Sequence, residues 1–165
     1  MIDDPAFVSA DAIARPVNAE LRAPTPLVRR LELAAGAGLT GHLHVHEPLD
    51  VGAAVVTGAG DIEADLMIHA VVMTDDEPVT KPGVHRAMTS ALQRANDWKI
   101  ARLAFTPFGL GAGNLDVDDA AQVMLSAISE HASHAAFPSV VTIVVENDIE
   151  AEAFRAARAW SWRGT

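Results

Sequence analysis

The residues best suited to chemistry lie in one segment, in which a strand is followed by a glycine-rich turn and then by a helix. The predicted strand covers 103–105, Gly109, Gly111 and Gly113 occupy every second position of the turn, and the helix is predicted to begin near Asp116. A helix N-terminus leaves backbone N–H groups unpaired and carries partial positive charge. Glycines, which lack Cβ, let an anion approach such a backbone closely. The segment therefore predicts a loop that holds a phosphate group.

A simple tight turn is the competing interpretation of this glycine spacing. The segment lacks the Gly-Lys-Ser/Thr of one nucleotide-binding loop, and Asn114 or Asp116 stands where a dinucleotide fingerprint has its third glycine. Asp116 suits an N-cap, and Asp119 suits the N3 position that answers it. The carboxylates of Asp116, Asp118 and Asp119 would repel an anion placed over the helix axis, so a bound phosphate is expected to lie over the glycines.

Composition excludes several classes of function. The 165 residues favour one domain over 1–165, and the net charge of −10 argues against nonspecific binding of DNA or RNA. A small nucleotide remains compatible with this charge, because backbone N–H groups hold phosphate without lysines. The chain has no cysteine, which excludes disulfides and cysteine catalysis. Without a membrane-length apolar stretch, and with an acidic start unlike a signal peptide, we expect a cytoplasmic protein that binds no membrane.

The order of the predicted elements indicates an α/β protein with a largely parallel sheet and helices on both faces. Strands are predicted over 11–17, 41–47, 53–57, 66–72, 100–105 and 140–145, and helices over 27–35, 84–95, 116–131 and 148–159. Pro26 suits the first turn of the first helix, Gly36 suits its end, and Asp148 suits the cap of the last helix. Ligands of such sheets bind beyond the carboxyl ends of the strands, where the glycine-rich turn lies.

Three stretches together resemble the macro domain family. Residues 52–71 resemble its Thr-Gly turn and Ile-His strand, residues 102–114 resemble its glycine-rich phosphate loop, and residues 140–154 resemble its last strand and helix. The resemblance implies a three-layer α/β/α sandwich around a mixed, largely parallel sheet. It also implies ADP-ribose as the ligand and, in some members, hydrolysis of ADP-ribose from proteins or from acetylated ribose.

The resemblance also implies the residues that contact the ligand. Asn18 falls on the asparagine that contacts the distal ribose. The phosphates would receive backbone N–H groups from the loop residues Gly109, Leu110, Gly111, Ala112, Gly113 and Asn114. We therefore expect binding of ADP-ribose or a related phosphorylated nucleoside, with no cofactor and with no catalytic residue assigned.

The N-terminal third departs from the family pattern. Arg15 replaces the first of two family asparagines, and 23–27 reads Ala-Pro-Thr-Pro-Leu where the family has a second glycine loop. Proline has no N–H and cannot copy that anion-binding nest. Residues 146–148 replace an aromatic that stacks on adenine, and Asp4 is a weak match for the adenine-contacting aspartate. These departures rank hydrolysis below binding, and they leave open a degenerate macro-like domain that acts as an interaction or assembly module.

The histidines support further hypotheses. His42, His44 and His46 alternate, so in a strand they would share one face and could bind zinc or nickel. No nearby cysteine completes such a site, although Glu47 or Asp50 could, and a solvated edge strand is the favoured interpretation. His69 lies in an apolar strand and is predicted to be a buried, hydrogen-bonded core residue.

The C-terminal segment is an aromatic and basic tail. We expect it to pack on the sheet or on a neighbouring subunit of a homo-oligomer rather than on nucleic acid. Its residues are Arg158, Trp160, Trp162 and Arg163.

Overall fold

The computed structural model describes residues 8–36, 48–110 and 115–163, with side chains as far as residue 158. In chain order, the elements within these ranges are β1 (Ala12–Asn18), α1 (Pro26–Ala35), β2 (Ala54–Gly58), β3 (Leu66–Met73), α2 (Lys81–Asp97), β4 (Arg102–Phe105), α3 (Val117–Ala132), β5 (Val140–Ile143) and α4 (Asp148–Arg163). The predicted strand over 41–47 lies outside the described residues.

The five strands form one mixed sheet in the order β2-β3-β1-β4-β5. All neighbours are parallel except β2 and β3, which are antiparallel. This arrangement confirms the predicted mixed, largely parallel sheet. The carboxyl ends of β1, β3, β4 and β5 therefore meet at one edge, and the loops that follow them are neighbours there.

Helices cover both faces of the sheet, as predicted. Side chains alternate between the faces of a strand. Ala12 and Ala14 of β1 join the larger core beneath α2, α3 and α4, whereas Ile13 joins a smaller core with Leu31 of α1. The result is a three-layer α/β/α sandwich. Among the described helices, α1 covers one face of the sheet and α2, α3 and α4 cover the other.

Pro16 lies inside the central strand, where a proline would normally remove a ladder hydrogen bond. In β1 the backbone N–H and C=O groups of the even-numbered residues point towards β4, as shown by the carbonyl of Ala14, which accepts from the N–H of Thr106 over 3.1 Å. The register between β1 and β4 ends at the pair Ala14–Phe105. Pro16 therefore faces the side on which strand pairing has already stopped, and its missing N–H costs no ladder bond.

One helix start and one helix cap differ from the prediction. α2 begins three residues before Val84, because the side chain of Thr80 caps it by accepting from the N–H of Gly83 over 3.0 Å. α4 is capped by Asn147 rather than by Asp148, since the N–H of Glu150 donates to Oδ1 of Asn147 over 2.9 Å.

The end of α4 and the start of β4 also differ from the prediction. α4 continues to Arg163, beyond the predicted end at 159. The strand β4 begins at Arg102 rather than at Ile100, because Lys99 adopts a left-handed φ of 54° and the N–H of Ile100 still donates to the carbonyl of Ala95. Among the described residues, every helix is too short or too polar to span a membrane.

Candidate functional site

The strand order reverses between β1 and β4. After β1 the chain forms β2 and β3 on one side of β1, and it later returns to form β4 on the other side. Pairing between the two strands stops at Ala14 and Phe105. Ligands of open α/β sheets bind in the crevice at such a point. Asn18 ends β1 there, and the glycine-rich loop follows β4.

Buried contacts hold the stem of the glycine-rich loop. The N–H of Phe108 donates to Sδ of Met124 in α3 over 3.2 Å, and the N–H of Leu115 donates to the carbonyl of Gly109 over 3.0 Å. Gly109 has a φ of 83°, and a Cβ atom there would lie 3.0 Å from Cγ2 of Val84. Only glycine meets both conditions without strain, so the loop leaves the sheet at a fixed point.

The structure describes two of the six loop positions predicted to hold phosphate. Gly109 forms the stem, and Leu110 lines the adjoining cleft. The other four positions lie outside the described residues, so their contact with phosphate stays a prediction: they are Gly111, Ala112, Gly113 and Asn114.

Asn18 is half-buried, and its side-chain oxygen is engaged within its own loop. Oδ1 accepts from the N–H of Glu20 over 3.0 Å and from the N–H of Arg22 over 2.9 Å. The backbone of the loop is also closed, because the N–H of Leu21 donates to the carbonyl of Asn18. The amide nitrogen Nδ2 is the part of the side chain suited to donate to a ligand. Contact with a ribose stays a prediction.

A cleft of about 270 Å³ lies between α1 and the stem of the glycine-rich loop. Residues from the proline-containing segment 23–27 form one wall of this cleft and do not fill it. The lining residues are Thr25, Pro26, Leu27 and Arg30 on the α1 side, Pro107 and Leu110 on the loop side, and Glu146 and Glu150 at the start of α4.

The start of α1 offers few donors to an anion. Pro26 has no N–H, and the N–H of Val28 donates to Oγ1 of Thr25, which caps the helix. The backbone at this end of α1 is therefore poorly suited to phosphate. Backbone donors for a phosphate would have to come from the glycine-rich loop at the opposite wall.

An ion pair joins α1 to the turn before α4 across the cleft. Arg30 pairs with Glu146, whose N–H donates to the carboxylate of Glu150 over 3.1 Å. Arg30 is the single cation among the described residues that line the cleft, where it faces two carboxylates. Both partners of the pair are more than one third exposed, so the pair is screened and exchangeable.

The start of α3 beside the glycine-rich loop confirms Asp116 as the predicted N-cap. Oδ1 of Asp116 accepts from the N–H of Asp119 over 2.9 Å. The carboxylate of Asp119 pairs with Nζ of Lys81 in α2 at 2.7 Å. Lys81 thus offsets part of the negative charge that the aspartates place near the loop.

A buried polar row crosses three strands beneath α1. Nε of Arg15 in β1 donates to Nδ1 of His69 in β3 over 2.8 Å, and Nε2 of His69 lies 2.8 Å from Oγ1 of Thr57 in β2. Burial and the charge of Arg15 lower the pKa of His69 to about 3. The ring is therefore neutral, with its proton on Nε2, because Nδ1 accepts from Arg15.

His69 is buried and hydrogen-bonded, as predicted, whereas the role of Arg15 was not predicted. The available signal was the two-residue period of β1. Ile13, Arg15 and Val17 must share one face of the strand, and both neighbours of the arginine are apolar core residues. Arg30 and Glu146 were missed as well, because they meet only in the tertiary structure.

The histidines His42, His44 and His46 lie outside the described residues, so the metal-site hypothesis stays a prediction. Within 8–36, 48–110 and 115–163, no group of three or more histidine, aspartate or glutamate side chains is placed to hold a metal ion.

Comparison with known proteins identifies the relatives of this chain. A family model described as Macro domain matches residues 15–124. An uncharacterized protein of Mycobacterium tuberculosis is 31% identical over 89% of this chain, which spans only 40% of that protein. A macro domain-containing protein of Caldanaerobacter subterraneus is 30% identical over 60% of this chain and 67% of its own length.

Solved structures show the same fold. The Oceanobacillus iheyensis macrodomain with MES bound superposes with a TM-score of 0.88 at 15% identity, over 99% of this chain and 91% of that chain. The same macrodomain with ADP has a TM-score of 0.82 at 15% identity, over 99% and 90% of the two chains. A variant of it with ADPR has a TM-score of 0.83 at 15% identity, over 98% and 91%.

Proposed function

Because the chain belongs to the macro domain family, we propose that it binds ADP-ribose or a related phosphorylated nucleoside in the crevice between β1 and β4. The observation that carries the proposal is the fixed exit of the glycine-rich loop at this crevice. Gly109 has a left-handed backbone and packs against Val84, and the described part of the loop ends at Leu110, which lines the cleft. The Oceanobacillus iheyensis macrodomain with ADP has the same fold, which supports the same ligand class here.

The backbone N–H groups of the loop from Gly109 to Asn114 would hold the phosphates, and Nδ2 of Asn18 would donate to a ribose hydroxyl. Two contacts favour this arrangement by engaging carboxylates near the loop that would otherwise repel a phosphate. Asp116 caps α3, and Asp119 forms an ion pair with Lys81. The remaining negative charge around the cleft is opposed by Arg30. Backbone donors thus supply the attraction that the acidic chain otherwise lacks.

Calorimetric titration tests the proposal, with ADP-ribose as ligand and AMP and ribose 5-phosphate as controls. We expect saturable binding of ADP-ribose that Gly111→Glu abolishes by placing bulk and charge in the loop. Gly58→Glu is the matched control, because Gly58 is exposed and a Cβ there meets nothing within 4 Å. Equal affinity in both variants would remove the loop from the site.

Two further outcomes separate the alternatives. Absence of heat with all three compounds would overturn nucleotide binding and favour an interaction or assembly module. Release of ADP-ribose from a modified protein, lost in Asn18→Ala, would place hydrolysis above binding. Both measurements use the same purified chain.

A further inference from the structure

Arg15 is fully buried in the central strand, with 0% of its surface exposed. Its guanidinium reaches three separate parts of the molecule. Nε donates to Nδ1 of His69 over 2.8 Å, Nη2 donates to the carbonyl of Leu21 over 3.1 Å, and Nη1 lies 3.5 Å from the carboxylate of Glu32 in α1. One side chain thus ties β3, the loop after β1 and α1 together.

This arrangement is electrostatically expensive. A buried charge needs an opposite charge and full hydrogen bonding, but His69 is neutral and Nη1 of Arg15 has no hydrogen-bond partner among the described residues. Burial lowers the pKa of Arg15, and the carboxylate of Glu32 opposes that shift. An apolar side chain would fill the same space at lower cost, so the gain from the arginine lies in the groups that it holds.

The loop that Arg15 holds is strained and carries Asn18. Leu21 has a φ of 62°, which is unfavourable for a leucine, and its carbonyl is the one that accepts from Arg15. The N–H of Leu21 donates to the carbonyl of Asn18, while Oδ1 of Asn18 accepts from the N–H groups of Glu20 and Arg22. Arg15 therefore supports, from inside the core, the loop that orients the asparagine amide.

We propose that Arg15 is a positioning residue that fixes the direction of the Asn18 amide for ligand binding. The proposal rests on the proposed function of the crevice. Arg15 stands where the resemblance places an asparagine, and it lies on the strand face beneath α1. It acts through the loop, with no contact to the ligand.

A double-mutant cycle tests the proposal by calorimetry with ADP-ribose on the wild type, Arg15→Met, Asn18→Ala and the double variant. We expect Arg15→Met to weaken binding about ten-fold, and Asn18→Ala to have little further effect once Arg15 is gone. Additive losses in the double variant would overturn the proposal, because they would mean that the two residues act separately.

Arg15→Lys separates positioning from simple charge. Lysine keeps a cation near Glu32 but lacks the planar fork that reaches His69 and Leu21 together. We expect Arg15→Lys to lose about as much affinity as Arg15→Met, although it keeps the cation. Wild-type affinity in Arg15→Lys would show that charge alone is sufficient and would overturn the proposal.

Amide hydrogen exchange on the ligand-free protein gives a readout that does not depend on ADP-ribose. We expect Arg15→Met and Arg15→Lys to lose protection at the amides of Glu20 and Arg22, with β3 amides such as Ile68 unchanged. Unchanged protection at Glu20 and Arg22 would overturn the proposal even if affinity falls. Normal wild-type exchange without ADP-ribose binding would instead mark failure of the proposed function.

Discussion

His69 and Arg15 face each other across β3 and β1, and the Nε of the arginine donates to Nδ1 of the histidine over 2.8 Å. The histidine is thereby held as a neutral acceptor beside a cation. Thr57 completes the row by accepting from Nε2 and donating to the carbonyl of Gly58 over 2.9 Å. The three strands β1, β3 and β2 are therefore joined by side chains as well as by backbone.

The protonation of His69 predicts how stability changes with pH. Burial and Arg15 lower the pKa of His69 from 6.5 to about 3 in the folded protein. Above pH 6.5 the histidine is therefore neutral in both the folded and the unfolded chain, and the buried row contributes its full stabilisation. Between pH 6.5 and 3 the unfolded chain binds a proton that the folded chain does not. As the pH decreases through this range, the free energy of unfolding should therefore decrease by about 1.4 kcal/mol for each pH unit because of this histidine.

Urea denaturation of the wild type and of His69→Gln between pH 7 and pH 4 measures this contribution. Glutamine does not titrate but can still accept from Arg15 and donate to Thr57. We expect the wild type to lose stability more steeply than His69→Gln as the pH falls. Identical slopes for the two proteins would contradict the neutral, buried state of His69.

Gly109→Ala tests the fixed stem of the glycine-rich loop. The φ of 83° strains an alanine, and its Cβ would lie 3.0 Å from Val84, so we expect a loss of about 1–2 kcal/mol in the free energy of unfolding. Affinity for ADP-ribose should fall as well. Gly58→Ala is the control, because its φ is not positive and its surroundings are open; equal effects in the two variants would argue against the constraint.

Glu146→Gln tests the ion pair across the cleft. Removing this carboxylate frees Arg30 and lowers the negative charge near the ligand, so we expect affinity for ADP-ribose to rise about three-fold at low salt. Glu152→Gln makes the same charge change on an exposed residue of α4 that pairs with Arg155. A similar gain in both variants would assign the effect to net charge rather than to Arg30.

Asp116→Ala should remove the cap of α3. Its Oδ1 accepts from the N–H of Asp119, and loss of such a cap costs about 1 kcal/mol of unfolding free energy. Asp116→Asn keeps the cap and removes the charge, so its stability in urea denaturation should stay close to that of the wild type. If both variants lose stability equally, the charge of Asp116 at the helix N-terminus matters more than the cap.

Much of the fold could be predicted because it depends on local patterns. The apolar run at 66–72 predicted β3, and the helical spacing from Val84 to Ala95 predicted α2. Helix ends were less predictable, because Thr80 and Asn147 compete with neighbouring residues for the cap. Residue patterns predicted a candidate site only at the glycine-rich loop, whose glycines lie close together in the sequence, whereas Asn18 was predicted from the family resemblance.

The α/β class, the largely parallel sheet and the position of the glycine-rich loop after β4 could be predicted from strand and helix periods and glycine turns, because these are short-range properties. The mixed character of the sheet was predicted only from the family resemblance. The contacts of Arg15 with His69, Leu21 and Glu32, and of Arg30 with Glu146 across the cleft, arise from the packing of the layers. These contacts join residues between 6 and 116 positions apart. The partners of a charged side chain at such separations depend on how the layers of the fold pack, and no local sequence pattern encodes that packing.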